Sequence, residues 1–400
     1  MRIRSGKANL ARLVVALAFA ALAIVAVHAG VDGPAKPPRA HAAVMRATPG
    51  NLESVFARAR RGDRIRLAPG DYGTFRGAPK AGRVRITGPK GRGARVALAF
   101  DGARNITLRR LTITSAVLEG DTRNITVRDS TFPGQVTFRT GELRRANILF
   151  ERNLHAGWNA CRSCGEGRIF LPERTNEPSG ITIRRSEFRG GMSDGILNGS
   201  NGTRIIGNTF HDLVQGGADG VHTDSIQLYG SRNTVIRRNL FYNFPSGIMA
   251  PDGADHEVIV DNVFRGDRGN YPFAIMIWSD RGSVIRHNTL ADGDCQFNLP
   301  CGILSIGSKA GMPAGRGTIV RDNILSEISI GSGSATLGAR SHNLIVHAPA
   351  SGHREIRARP RYVGGRNPKT FRAHALRKGS PGRGNASDGT DRGARARRGR

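Results

Sequence analysis

The chain has 400 residues, 53 of them glycine, with 38% hydrophobic and only 6% aromatic content. That composition excludes a helical bundle or a coiled coil and favours a turn-rich, strand-rich chain, long enough to bury a sizeable core in one extended unit. The formal net charge of +30 points to anionic partners, but the arginines are scattered through strand-like segments, so charge alone leaves acidic polysaccharide, nucleic acid and simple solubility open.

At the amino terminus Arg2, Arg4, Lys7 and Arg12 precede an uninterrupted apolar run over 13–27, with small-residue endings at Val27-His28-Ala29 and Ala40-His41-Ala42. This is the pattern of a secretory signal cleaved near 29 or 42, and residues 1–42 read as signal and linker. The run is shorter than the roughly 20 residues a spanning helix needs, and no other stretch could cross a bilayer. A secreted protein with no membrane attachment after cleavage is expected. Export favours an acidic polysaccharide as partner over nucleic acid, which is not expected. It also suits disulfides, and Cys161 with Cys164, and Cys295 with Cys301, read as two local bridges.

Folding is expected to begin at Thr48. Leu52, Val55, Phe56 and Ala59 have the spacing of a short amphipathic helix, and Arg64-Ile65-Arg66-Leu67 alternates as a strand. From 105 to about 346 one unit keeps returning: a strand-like alternation, a polar residue, a spacer and a bulky apolar residue. The units end at Ile113, Phe132, His155, Phe188, Phe210, Phe241, Phe264, Leu290 and Leu325, about 26 residues apart on average. No unit of that length buries its own apolar face, so the repeat predicts a solenoid of stacked, strand-dominated coils.

Two columns follow from stacking. Two positions before each unit's end stand Leu111, Ser130, Asn153, Ser186, Asn208, Asn239, Asn262, Asn288 and Asn323; stacked asparagines can hydrogen-bond along the axis and tolerate the left-handed backbone of a tight bend. A second ladder aligns Ile196, Ile226, Ile248, Ile275 and Ile303, β-branched side chains that stack well across parallel strands.

These repeats resemble the right-handed parallel β-helix family of secreted polysaccharide-active proteins, which includes pectate lyases, alginate lyases and mannuronan C5-epimerases. Residues 51–72, NLESVFARARRGDRIRLAPGDY, look like the helix-and-first-strand cap of such lyases, and Leu376-Arg377-Lys378-Gly379-Ser380-Pro381, with Asp391 and Gly393, looks like their closing segment. The resemblance implies an all-β, single-stranded right-handed parallel β-helix with a short N-terminal capping helix, assigned to 48–376, acting on an acidic polysaccharide. The Gly/Arg-rich remainder, 377–400, reads as a basic, unordered tail.

The stretch 216–230, GGADGVHTDSIQLYG, stands out from neighbouring coils. Where the ladder elsewhere has Leu197, Met249, Met276 and Leu304, it has Gln227, and Asp219, His222, Asp224 and Tyr229 lie beside it. Asp194 occupies the place of Asp224 one coil earlier, about 4.8 Å away if stacked, close enough to shift its pKa or to share a calcium ion. Removing the C5 proton of a uronate needs a base and neutralisation of the charge that develops. His222 is the expected base and Tyr229 the expected acid, with Gln227, Arg237 or a calcium held by Asp194 and Asp224 as neutralising groups. Tyr229 and Trp278, two coils apart in one ladder position, could form a sugar-stacking platform.

Asp219-Gly-Val-His222-Thr-Asp224 is similar to the Asp-x-His-Asp/Glu cluster of C5-epimerases, although it lacks the proline before the histidine and its second acid falls one residue later. The signatures of pectate lyases, polygalacturonases and calcium-dependent alginate lyases are absent. Epimerase- or lyase-like chemistry is the leading expectation. A non-catalytic glycan-binding or adhesin β-helix, and a hydrolase using Asp219 and Asp224, are the alternatives.

Overall fold

Short strands separated by tight bends pair here with their counterparts one coil on, rather than with their neighbours in sequence. A computed structural model describes residues 42–139, 145–159, 167–171, 178–215, 222–267, 270–331 and 335–396. Its strand ladders are parallel throughout, from Val44–Ala47 on Arg64–Leu67 to Leu344–Ile345 on Ile356–Arg357. They form a 13-stranded and a 21-stranded sheet. The larger one forks at Thr112–Glu119, where Thr112 pairs with Thr131 while Ala116, Val117 and Leu118 pair with Val136, Thr137 and Phe138. Later coils therefore have three faces, exemplified by Arg204–Ile206, Thr209–His211 and Asp224–Leu228. This is the parallel β-helix expected from the repeat.

The helix Leu52–Arg58 buries Leu52, Val55 and Phe56, and sets Phe56 edge-on against Phe75 with ring centroids 5.1 Å apart. The first strand begins at Val44, before the expected Thr48. Its Ala47 is buried against Leu67, a pairing that the surrounding Pro/Ala-rich composition concealed.

The unit-end column is a continuous stack: Phe132, His155, Phe188, Phe210, Phe241 and Phe264 lie 4.3–5.0 Å apart with ring planes within 10°. The asparagine column is a hydrogen-bonded ladder. Each backbone amide of Asn208, Asn239, Asn262 and Asn288 donates to the Oδ1 of the next asparagine, and Asn323 donates to Asn343. Each Nδ2 also donates to a strand carbonyl, as Asn239 does to Ile205 at 3.0 Å. One detail differs from expectation. The left-handed residue is the one before the asparagine, including Gly207, Arg238, Asp261, His287, Asp322 and His342 with φ of 51–66°, which leaves the amide side chain free to turn inward.

The isoleucine column holds from Ile196 through Ile226 and Ile248 to Ile275. There it slips by one: a register shift pairs Ile275 with Leu304 and Met276 with Ser305. Ile303 and Leu304 are thus not in the places that uniform repetition assigns them.

The closing segment also differs from the unordered tail expected from 377. Gly393 donates its amide to Asp322 O at 2.7 Å, Ala394 to Thr289 Oγ1 at 2.9 Å, and Arg395 places two guanidinium nitrogens 2.8 Å from the Asp261 carboxylate. The bends of three successive coils present carboxylates and hydroxyls to this basic strap. Composition alone contains no sign of that complementarity.

Candidate active site

The third face carries the polar coil. Asp224–Leu228 buries Ile226 and Leu228 in the core, and the strand start is fixed by Asp194, whose Oδ1 accepts the Asp224 amide at 2.7 Å. The expected stacking of Asp194 on Asp224 is therefore present, as a carboxylate-to-amide bond. Behind it lies Arg168, a fully buried side chain that sequence reading missed. Arg168 donates to the carbonyls of His155, Arg189 and Gly190; burial pushes it down to about 10, with Asp194 acting in the opposite sense. A charged guanidinium thus backs the Asp194–Asp224 step.

His222 precedes this strand and is half exposed; its Nε2 lies 3.4 Å from Oδ2 of the buried Asp224. Both residues line a cleft of about 400 Å³ with Gln215, Pro245, Ser246, Met249, Pro251, Tyr271, Met276 and Gln296. Those residues come from four consecutive coils, so the cleft runs along the solenoid axis for roughly 14 Å. The Thr223 amide donates to Gln215 Oε1 at 3.1 Å, tying the wall to the floor.

The far wall depends on a disulfide. Cys295 and Cys301 are bridged as expected, and the loop they close carries Gln296 into the cleft, with Gln296 N donating to Asn270 O at 3.0 Å. Phe297 in the same loop meets Tyr271 edge-on at 5.7 Å. Gln215, Tyr271 and Gln296 were not singled out from sequence. The signal available was the unequal spacing of the repeats for Gln215 and Gln296, which fall in the longer gaps 210–241 and 290–325, whereas Tyr271 falls in a gap of average length.

The other expected residues are dispersed. Gln227 stacks between Leu197 and Met249, is buried, and its Oε1 has no hydrogen-bond partner. Tyr229 is half exposed at the opposite end of the strand from His222, roughly 16 Å along the chain from Asp224, and does not line the cleft. The ladders end at Gln227 on Met249 and Ala250 on Ile277, short of Tyr229 and Trp278; the Trp278 indole donates to Ser305 Oγ at 3.2 Å and pairs opposite Gly307. Arg237 belongs to the 13-stranded sheet on another face, where it meets Asp261 at 3.5 Å. Its charge suits a uronate, but its strand belongs to a different sheet from Asp224–Leu228. Asp219, Cys161 and Cys164 lie outside the described residues.

Among the described residues no group of three or more His, Cys, Asp or Glu side chains converges on a metal position.

The coils, their parallel ladders and their hydrogen-bonded bends define a right-handed parallel β-helix. Residues 169–348 match the family described as "Right handed beta helix region". A comparison with curated proteins finds no significant match. Among solved structures, the chain is similar to the PL6 family alginate lyase AlyGC at 13% identity and a TM-score of 0.47, covering 87% of this chain and 58% of that one. Pectate lyase Pel9A is 15% identical, with a TM-score of 0.34 and coverage of 89% and 96%. The A-module of the Azotobacter vinelandii mannuronan C-5 epimerase AlgE6 is 13% identical, with a TM-score of 0.30 and coverage of 76% and 94%. The chain spans little more than half the length of the alginate lyase, and the fold assignment rests on its own strand pairing.

Proposed function

We propose that the protein is an exported β-helix that lays an acidic polysaccharide along the third-face cleft and removes the C5 proton of a uronate, with His222 as base. The observation that carries this reading is the His222–Asp224 pair: an exposed imidazole 3.4 Å from a buried carboxylate, on the floor of an axial cleft. A buried carboxylate beside a histidine orients the ring and stabilises the imidazolium formed when it takes a proton. Tyr271 replaces Tyr229 as the candidate acid, since it shares the cleft. If Tyr271 returns a proton to C5 from the opposite face, the product is the epimer. If the C4–O bond breaks instead, its electrons leave with the departing sugar oxygen, the C5–H electrons form the C4–C5 double bond, and the chain is cleaved.

One observation favours a second reading, non-catalytic glycan binding: among the described residues no arginine or lysine lines the cleft to neutralise charge on a uronate carboxylate. Two-carboxylate hydrolysis would draw on Asp219 as the partner of Asp224. The test is to incubate the mature protein with alginate, pectate and glycosaminoglycans, following absorbance of unsaturated products and uronate stereochemistry by NMR. Turnover of one of them is expected. Binding without change in any of them, unaltered by His222→Ala, establishes the binding reading; new reducing ends without unsaturation establish hydrolysis.

A further inference from the structure

The 13-stranded sheet, which does not border the cleft, carries arginines that face one another across coils. Register sets Arg46 beside Arg66, Arg64 beside Arg85, and Arg109 beside Arg128. Adjacent coils are about 4.8 Å apart, and like charges held directly opposite across strands destabilise a sheet. Nearby, such charge is neutralised within the chain: Arg109 and Arg152 share Asp129, and Arg184 meets Glu151 at 2.8 Å. Arg64 and Arg85 have no acid beside them in register, their partners being Arg85 and Thr107, whereas Arg128 has Glu151 as its neighbour on the next coil, a carboxylate already held by Arg184.

These three, with Arg109 and the hydroxyls of Thr87 and Thr107, line an open groove of about 380 Å³ that has no acidic residue in its walls. Arg83 adds a fifth guanidinium, reaching Thr107 Oγ1 and Thr126 Oγ1 on the next two coils at 3.5 and 3.3 Å. The Arg128 Nε is buried without a hydrogen-bond partner. Arg64 and Arg85, stacked in register without an acid, and the Arg128 Nε without a partner are stabilised by an anion that lies across the groove.

Guanidinium forks match carboxylates bidentately. Their repeat, one coil of roughly 5 Å at a time, suits a linear polymer that carries a carboxylate on each sugar ring. Duplex nucleic acid, with a charge about every 1.7 Å of axis, matches less well. We propose that this groove is a second glycan site, which holds a polyuronate along the solenoid axis by ion pairing, apart from the cleft and whatever reaction occurs there.

The test measures binding of polygalacturonate by calorimetry at low and high salt, using the mature protein. Arg64→Ser/Arg85→Ser/Arg128→Ser should lose at least tenfold in affinity and most of the salt dependence, with a melting temperature no lower than that of the parent, since repulsion is removed. His222→Ala should bind this site as the parent does, which separates failure here from failure of the cleft reading. Arg64→Lys/Arg85→Lys, which keeps the charge and loses the forks, should fall between parent and triple variant. Unchanged affinity in the triple variant overturns the proposal. So does equal affinity for duplex DNA that the same substitutions abolish, which would make the groove a general polyanion surface.

Discussion

His155 lies flat on Phe188, ring centroids 4.6 Å apart and planes 6° from parallel, and it lies on Phe132 in the same way. It is fully buried, and neither ring nitrogen has a hydrogen-bond partner. Burial, with the Arg168 charge adding to it, pushes its pKa from 6.5 down to about 3. Between those values the unfolded chain binds a proton that the folded chain does not, so this residue makes stability fall as pH drops from about 6.5 to about 3. His155→Phe should complete the phenylalanine stack and stabilise the protein by about 1–2 kcal/mol at neutral pH. The gain should be larger at pH 5, as read from urea midpoints at the two pH values.

Glu257 gives the opposite slope. Burial pushes its carboxyl from 4.5 up to about 8, against the Ser231 hydroxyl and the Thr234 amide that both donate to it. The folded chain keeps a proton that the unfolded chain releases, so stability from this group is full below about 4.5 and is lost as pH rises towards about 8. Glu257→Gln can direct its amide nitrogen to Ser231 and its oxygen to Thr234. Melting temperatures from pH 5 to 8 should decline less steeply in the variant than in the parent.

Asn239 accepts the Asn208 amide at 2.8 Å and donates to Ile205 O and Asn262 Oδ1 at 3.0 Å each. Asn239→Ala leaves those buried groups short of partners, at a cost of about 2–4 kcal/mol. A urea titration should show a lower midpoint with little change in slope.

What could be read from the sequence followed periodicity. Phe188, Phe210, Phe241 and Phe264, and the asparagines from Asn208 to Asn323, repeat one residue type per coil, so stacking could be inferred from spacing alone. His222 and Asp224 were legible as departures from that repetition. Tyr271, Gln215 and Gln296 were not, because they sit in loops of unequal length whose convergence depends on which corner the insertions share. Tyr229 and Arg237 are near His222 in sequence, whereas a five-residue strand and a change of face separate them from it in the fold. The slip at Leu304 and the Asp261–Arg395 pairing likewise required three-dimensional register.

The Cys295–Cys301 bridge holds the loop that brings Gln296 to the cleft and Phe297 to Tyr271. Cys295→Ser/Cys301→Ser should lose about 2 kcal/mol of stability, the scale for a short closed loop. Affinity for cleft ligands should fall several-fold, because the wall is no longer held. Titration of short uronate oligomers into parent and variant checks the second effect against the first.

The most direct measurement of the proposed chemistry is hydrogen exchange at the substrate. In D2O, an enzyme that removes the C5 proton introduces deuterium at C5 when the proton is returned, or releases an unsaturated terminus when it is not, and NMR of the polymer resolves both. The parent protein should produce one of these signals on a polyuronate. His222→Gln should reduce it at least a hundredfold, in line with loss of a positioned base, while retaining polymer binding. A parent protein that binds the polymer and yields neither deuterium nor unsaturation, or a His222→Gln variant as active as the parent, would contradict His222 as the base of a C5-proton abstraction.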